Sequence, residues 1–404
     1  MARTPAEIDI AAGLDRERLK DPYPSIEASR SLCPVAHQSG LEAYVLWNHA
    51  DARELLQDQS HSRDPQKAGP GTLMRELNKN LPGLDANMLF ADPPAHTRLR
   101  GLVSKAFTPR AVDALRPVIE RWTHSLIDDI GDAPRFDLME ALARPLPTIV
   151  IAELLGVQSA DHARFKGWSN KMVLLLNPLC TPAEREAGQQ AHAEFGEYLD
   201  AEIASRRANP RDDLFTALIQ VRDAGDTLTD TEVKTTCRLL LNAGNLTTTD
   251  LIGNGVHALL THPKQLELLR KEPDRISDVV EEVLRWDPPV LGSTRVPTRD
   301  IELAGCTIPS HSTVLASLAG ANRDPAVRSN AERFDIERPD KHHLSFGGGL
   351  HYCLGAHLAR LEARTALSTL VQRFPKLRLA AQGQQVRAAV PGFRGFEILE
   401  VDVA

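Results

Sequence analysis

The chain has 404 residues, with 47 basic and 54 acidic side chains, a formal net charge of −7 and a 42% hydrophobic share. That balance excludes an extensive nucleic-acid footprint, while the apolar content is ample for a sizeable core. Five cysteines (Cys33, Cys180, Cys237, Cys306 and Cys353) form no close-spaced pair, and their odd number argues for reduced thiols in a cytoplasmic setting rather than a disulfide frame.

The first nine residues hold no apolar signal core, and no apolar run approaches the ~18–20 residues needed to cross a bilayer. The densest runs, 148–155 and 172–176, are short. The expectation is a cytoplasmic protein, monomeric, without membrane or nucleic-acid contacts. Length alone allows two or three domains, but no linker, repeat or low-complexity tract interrupts the chain, so residues 1–404 are expected to form a single domain.

In chain order, residues 41–47 read as a strand and 48–57 as a helix. The stretch 60–95 holds Pro65, Pro70, Pro82, Pro93 and Pro94 and reads as loop with one short helix, a length often associated with lids. Helical periodicity follows over 96–130, with a stop near Thr108–Pro109, and over 137–157, 159–177, 182–207 and 212–224. The clearest helix opens on Thr229-Asp230-Thr231-Glu232, which has capping-box spacing, and continues to His262-Pro263. At 1.5 Å per residue its ~30 residues span about 45 Å. Short helices at 263–269 and 275–286 precede alternating pieces at 293–296, 300–303, 307–308 and 313–315. A last helix over 354–374 and strands near 377–380 and 396–401 close the chain. The sum is mainly α with a small β-region.

The chemistry concentrates in Phe346-Gly347-Gly348-Gly349-Leu350-His351-Tyr352-Cys353-Leu354-Gly355, directly before the last helix. Glycines allow backbone to approach a flat cofactor, and a helix N-terminus with nearby amides favours ionised sulfur. His351 and Arg360 add donors for acidic groups or cations for the sulfur. An isolated cysteine in a tight turn is usually just buried, but here every position of an ordered pattern is filled.

Those ten residues match the haem-ligating signature Phe-Gly-x-Gly-x-His-x-Cys-x-Gly, and the chain resembles the cytochrome P-450 superfamily of haem-thiolate monooxygenases. The resemblance implies the fold of that superfamily, a triangular prism with a long central helix over the haem. It implies haem b (iron protoporphyrin IX), with Cys353 as the iron ligand and Phe346, Gly347 and Gly355 framing it. Without a membrane anchor, the match is to a bacterial-type member.

Within the long helix, Ala243-Gly244-Asn245-Leu246-Thr247-Thr248-Thr249 combines poor helix formers. A Thr247 hydroxyl bond to the Ala243 carbonyl loosens a helix, and read alone this is ordinary back-bonding at a packing contact. The stretch resembles the superfamily's oxygen-activation motif, Ala/Gly-Gly-x-Asp/Glu-Thr. The resemblance makes Thr247 the hydrogen-bonding threonine of oxygen activation, with Gly244 and Thr248 beside it in the motif. Leu246 stands where the motif has an acid, and leucine relays no proton. Asn245, Asp250, a water chain or the substrate are the alternatives; the expectation is that Leu246 packs on substrate while Thr247 and ordered water carry the proton.

Glu282-Val283-Leu284-Arg285 places opposite charges three apart on one helix face, alone a weak surface pair. Followed by Trp286-Asp287-Pro288-Pro289, it matches the superfamily's Glu-x-x-Arg motif, which meets a later arginine; Arg333 is the candidate. His96 and Arg100 lie four apart on one face, read alone as a solvated polar surface. The resemblance assigns them to the haem propionates together with Arg295 and His351. Arg98, Lys105, Arg110, Arg360 and Arg364 form either a docking patch for an acidic electron donor or scattered solubilising charges.

A cysteinate ligand favours O–O cleavage, so the implied reaction inserts one oxygen atom of O₂ into a hydrophobic small molecule. The chain holds no cysteine cluster or dinucleotide fingerprint, so electrons are expected from a ferredoxin and its NAD(P)H-dependent reductase. Expected substrate contacts are Met88, Leu89, Phe90, Met172, Leu175, Leu239, Ala243, Leu246, Val290, Leu291 and Phe393, stripes that read as plain core in most helical proteins. The competing reading is a haem-thiolate protein that binds a ligand or senses gas without turnover, which Leu246 favours. A peroxide-driven oxygenase lacks its Arg-Pro pair here, and the triple glycine lacks the Lys-Ser/Thr of a nucleotide loop.

Overall fold

The structure is a computed structural model that describes residues 6–7, 20–38, 42–78, 87–176, 180–222, 225–388 and 390–403. In chain order, helix α1 (Tyr23–Leu32) leads to strands β1 (Val35–Gln38) and β2 (Ala43–Leu46) and helix α2 (His49–Gln57). Helices α3 (Ala95–Ala106), α4 (Arg116–Asp128), α5 (Pro145–Leu154), α6 (His162–Val173) and α7 (Pro182–Ala208) follow, with strand β3 (Arg135–Asp137) between α4 and α5. The longest helix, α8 (Asp230–Thr261), has 32 residues, about 48 Å of helix. After α9 (Ile276–Trp286) come β4 (Gly292–Arg295), β5 (Ile301–Leu303), β6 (Cys306–Ile308) and β7 (Thr313–Ser317). Helix α10 (Ala356–Arg373) and strands β8 (Gln385–Arg387) and β9 (Phe396–Asp402) complete the series.

These elements gather into two compact units, each assembled from three stretches of chain: Met1–Lys79, Gly253–Cys353 and Arg378–Leu399 in the first, Asn80–Ile252, Leu354–Leu377 and Glu400–Ala404 in the second. No single cut separates them, which is why the sequence carries no linker.

The first unit is organised on a sheet in which β2 pairs antiparallel with β1 and parallel with β7, and β7 pairs antiparallel with β4. Val35, Leu46, Val314 and Ala316 project into one core with Leu55 and Leu56 of α2. The sheet thus presents α2 to one side and the end of β4, with Arg295, beside it. β5 and β6 join through Ala304 and Gly305, both at positive φ (52° and 77°), a two-residue hairpin turn of the type that suits the strand twist.

The second unit is helical. The Thr229–Glu232 capping box is present: the Thr229 N–H donates to Glu232 at 2.8 Å, and the Glu232 N–H donates to Thr229 Oγ1 at 3.2 Å. It starts α8 where the sequence places it. The part of the 60–95 loop that belongs to the first unit contains one turn of tight helix at Pro65–Lys67 and a short helix at Leu73–Asn78, while residues 79–86 lie outside the described residues. The helical pattern over 137–157 divides into a wide turn at Met139–Ala143 and α5, because Pro145 and Pro147 cannot donate within a continuous helix. Phe165 and Trp168 of α6 meet Phe195 of α7 with ring centroids 5.4 Å apart in each pair, locking that helix pair.

Candidate active site

In the first unit, the glycine-rich loop folds back on itself. The Gly347 N–H donates to Leu344 O at 2.8 Å, the Tyr352 N–H to Gly349 O at 3.2 Å, and the Cys353 N–H to Phe346 O at 2.9 Å. Gly347 and Gly349 hold φ of +72° and +61°, and a Cβ on Gly349 would lie 2.5 Å from the Leu56 carbonyl oxygen. Glycine at 349 is therefore required twice, by conformation and by space. Cys353 is the exposed cysteine; Cys33, Cys180, Cys237 and Cys306 are buried, and burial pushes the Cys237 thiol far up. One sulfur is available to a ligand, and it is the one the loop presents. His351 sits half-buried in the tight turn before it.

The support beneath that loop is a buried ionic knot. Glu282 and Arg285 are both fully shielded and meet through two bonds of 2.7 Å. Arg285 also donates to the carbonyls of Asn322, Ala331 and Arg333. Asn322 accepts the Leu344 N–H at 2.7 Å and donates to Ser345 Oγ at 2.8 Å, so the knot reaches the residues that open the cysteine loop. The third guanidinium is not that of Arg333, as the sequence reading expected. Arg333 is exposed and offers only its backbone carbonyl, whereas buried Arg338 places Nε 3.5 Å from Glu282 Oε1. Its other contacts, to Ser329 O, Asn330 O and Arg333 O, turn it inward.

Arg295, at the end of β4, is 2% exposed and donates to Thr294 O at 2.8 Å and Ser293 Oγ at 3.2 Å. Arg63 donates to the same hydroxyl at 3.1 Å. Burial, then Arg63, push the Arg295 pKa down to about 9. Among the described residues no carboxylate pairs with Arg295. A buried guanidinium with another beside it is costly unless an anion joins them. The sequence singled out Arg295 but not Arg63, whose partner in chemistry lies more than two hundred residues away.

Also in the first unit, three expected substrate contacts come together. Val290 faces Phe393 across an antiparallel bridge, and the Leu291 N–H donates to Gly392 O at 2.9 Å. All three side chains are half-buried, but Val290 packs on the core of Val35, Leu46 and Val314, whereas Leu291 turns to that of Ile26, Val45 and Trp47, so only Val290 and Phe393 share a face.

In the second unit, the Thr247 hydroxyl donates to Ala243 O at 2.7 Å, as its spacing implied. Helix α8 nevertheless runs without a break through this turn. Ala243 is exposed and Leu239, Leu246 and Thr247 are half-buried, although Leu241, Thr248, Thr249, Asp250 and Leu251 are all buried. An open stripe therefore follows one face of α8 at helical spacing. Thr248 lies off that stripe. Gly244 packs closely on α5, where a Cβ would sit 3.0 Å from Ile151 Cδ1. Asn245 is buried, with Oδ1 accepting from Thr148 at 3.0 Å and Nδ2 donating to Ser169. Its amide is engaged between α5 and α6, away from the stripe. Asp250 is buried, not a helix-surface charge.

His96 is buried on α3, with Arg100 half-buried one turn on. Arg98, read as either part of a docking patch or a solubilising charge, is bound to Asp226 and Glu232 and to Thr227 O, closing α3 against the start of α8. Met88 is buried and Leu89 and Phe90 half-buried; Met172 and Leu175 are buried, with Leu175 packed where Gly188 of α7 leaves room. No described helix is long and apolar enough to cross a membrane.

A family model described as Cytochrome P450 matches residues 36–386. The chain belongs to the cytochrome P450 family. It is 40% identical to the cytochrome P450 monooxygenase PikC of Streptomyces venezuelae over 98% of this chain and 94% of the relative. It is 38% identical to the 6-deoxyerythronolide B hydroxylase of Saccharopolyspora erythraea, with 90% of each covered. The solved structure of the cytochrome P450 PksS of the Bacillus subtilis bacillaene polyketide synthase superposes with a TM-score of 0.89 at 34% identity, covering 97% of this chain and 99% of that one. This cytochrome P450 is accordingly a haem-thiolate monooxygenase of the bacterial kind, mainly helical with small sheets, and its cofactor is haem b. The residues present fit that group: an exposed sulfur on a loop whose Gly347-Gly348-Gly349 run leaves backbone uncovered, and a buried cationic pair at Ser293 suited to a carboxylate.

Proposed function

We propose that this P450 oxidises an apolar small molecule with electrons delivered by a ferredoxin and an NAD(P)H-dependent reductase in the cytoplasm. The observation that carries the reading is Cys353, the exposed cysteine, presented by a loop in which Gly349 leaves no space for a side chain. In the first unit, Cys353 supplies the thiolate, Phe346 and Gly347 shape the loop, and Arg295 and His351 offer positive charge or N–H groups to the propionates. In the second, His96 and Arg100 carry the same complement, and Gly355 opens the helix after the cysteine. Haem, when bound, would supply activation of O₂, so that one oxygen atom enters a C–H bond or alkene and, with two electrons and two protons, the other leaves as water.

The chain's own residues do the rest. The Thr247 hydroxyl sits on the open stripe of α8, where it donates to Ala243 O and keeps the acceptor capacity of a hydroxyl; with ordered water it holds and passes the proton, since Leu246 cannot. Leu246, Leu239 and Ala243 give that stripe an apolar surface, and Val290 and Phe393 give another in the first unit. The residues so placed favour a hydrophobic substrate, and the polyketide and macrolide names of PksS, 6-deoxyerythronolide B hydroxylase and mycinamicin IV hydroxylase/epoxidase make such compounds the first to screen.

The test is to reduce the purified protein with dithionite and add carbon monoxide. The absorption maximum diagnostic of thiolate ligation should appear, and Cys353→His should lose it while keeping pigment. A wild-type protein that holds haem but lacks that maximum overturns the reading. Ligands that then move the Soret band from low to high spin identify substrates for turnover with a ferredoxin and reductase.

A further inference from the structure

One buried amide stands behind Val290 and Phe393. Asn254, fully buried, donates from Nδ2 to the carbonyl of Asp287 at 3.0 Å and to that of Arg394 at 2.9 Å, while its Oδ1 accepts from Arg387 Nη1 at 2.8 Å. Two donors and one acceptor are in use at once, a combination that a primary amide has and that neither a carboxylate nor a hydroxyl can offer.

The two carbonyls belong to opposite sides of one short antiparallel pairing. Asp287 immediately precedes Pro288-Pro289-Val290-Leu291, and Arg394 immediately follows Phe393. Between them, the Arg394 N–H donates to Pro289 O at 2.8 Å and the Leu291 N–H to Gly392 O at 2.9 Å. The charges agree with this geometry. The Asp287 carboxylate pairs with Arg394 and with Arg387 (3.2 Å) and accepts from the Tyr23 hydroxyl at 3.1 Å. Burial alone would raise its pKa, but Arg394 and Arg387 bring it down to about 2, so the pairing is intact at neutral pH. Arg387 thus reaches both Asn254 and Asp287, and the amide, the carboxylate and two guanidiniums form one closed circuit.

We propose that Asn254 is a positioning residue for substrate selection: without touching substrate, its amide sets the separation of the two backbone segments that present the bridged pair Val290 and Phe393, and so the shape of the pocket wall that this pair forms. The proposal rests on the reading of those two side chains as substrate contacts. Nothing in it requires Asn254 to face the haem, and an apolar residue of similar size would strand two carbonyls and leave Arg387 with Asp287 as its remaining partner in the circuit.

The experiment uses the full-length holoprotein as wild type, Asn254→Ala, Asn254→Asp, Val290→Ala and Phe393→Ala. Asn254→Asp keeps an acceptor for Arg387 and loses both donors, so it tests the amide even where the alanine variant folds poorly. Binding of imidazole and of a phenylimidazole with a long para substituent is read from the Soret band. The ratio of the two dissociation constants reports wall shape and does not depend on the folded fraction. Both Asn254 variants should change that ratio by about threefold or more relative to wild type, with imidazole affinity itself little altered. Hydrogen exchange at the Leu291 and Arg394 amides of the apoprotein should quicken in the same variants. If Val290→Ala and Phe393→Ala shift the ratio and the Asn254 variants do not, the positioning role is overturned. If neither wall variant shifts it, the substrate-contact reading fails and takes the proposal with it.

Discussion

Glu282 and Arg285 meet through two hydrogen bonds of 2.7 Å with both side chains fully shielded from solvent. Removing one partner of such a pair leaves the other as an uncompensated buried charge, a loss of about 3–5 kcal/mol. Glu282→Ala is therefore expected to yield little or no haem-loaded protein. The haem-to-protein absorbance ratio checks this, and a normally loaded, stable variant would rule the network out. Arg338 and Arg333 give the finer test. Arg338→Met should lower haem loading and thermal stability, whereas Arg333→Ala, which removes an exposed side chain and leaves the carbonyl that Arg285 uses, should change neither.

The Thr247 hydroxyl leads to a second expectation. Thr247→Ala deletes its bond to Ala243 O, yet alanine is the better helix former by roughly half a kcal/mol, so the melting temperature should hold or rise. Coupling should still suffer: the share of electrons released as peroxide should increase several-fold with any substrate that supports turnover. Unchanged coupling in a well-folded variant removes Thr247 from the proton path.

How these residues read in the sequence depends on where their partners lie. Helix α8 was legible because its start, Thr229 to Glu232, and its stop, His262-Pro263, are local signals, and the cysteine loop because its ten positions are contiguous. Helix α1 was missed: it opens at Pro22 and Pro24 without a side-chain cap, and Ile26 is its one buried residue, so it carries no apolar stripe. The third guanidinium of the Glu282 knot was misplaced by five residues, because only the left-handed turn at Asn330 and the contacts after it decide which arginine points inward. Gly244 and Asn245 read as part of a reactive motif, and the contacts they also make, with Ile151 for one and with Thr148 and Ser169 for the other, were illegible because these neighbours lie more than seventy residues away. Arg98 read as a free cation for the same reason: Asp226 and Glu232 are distant in sequence.

Arg295 should behave oppositely with and without haem. Its pKa is held down to about 9, so the protonated form is disfavoured in the fold, and that penalty is fully present below pH about 9 and relieved as pH rises further. Removing the charge by Arg295→Met should raise the melting temperature of apoprotein at neutral pH. In holoprotein the order should reverse, because the variant loses a charge-assisted bond worth about 1.5–3 kcal/mol. Reconstitution with haem and with its dimethyl ester separates the cause: wild type should prefer the free acid, and the variant should bind both alike. An unchanged preference would remove Arg295 from the propionate site.

Glu362 on α10 presents the reverse case among the carboxylates. It is 1% exposed, its Oε2 is buried without a hydrogen-bond partner among the described residues, and burial raises its pKa well above the ordinary 4.5. The folded protein therefore holds a proton here that the unfolded chain releases above pH about 4.5. Each step of rising pH between that value and the folded pKa costs stability. Glu362→Gln keeps the shape and removes the titration. The variant should melt higher than wild type at mildly alkaline pH, and the two should converge as the pH falls below about 4.5, where both chains carry a neutral group in either state. Thermal scans across that range measure the gap directly. A gap that does not depend on pH would show that Glu362 is ionised in the fold, with a counter-charge that its surroundings in α10 do not reveal.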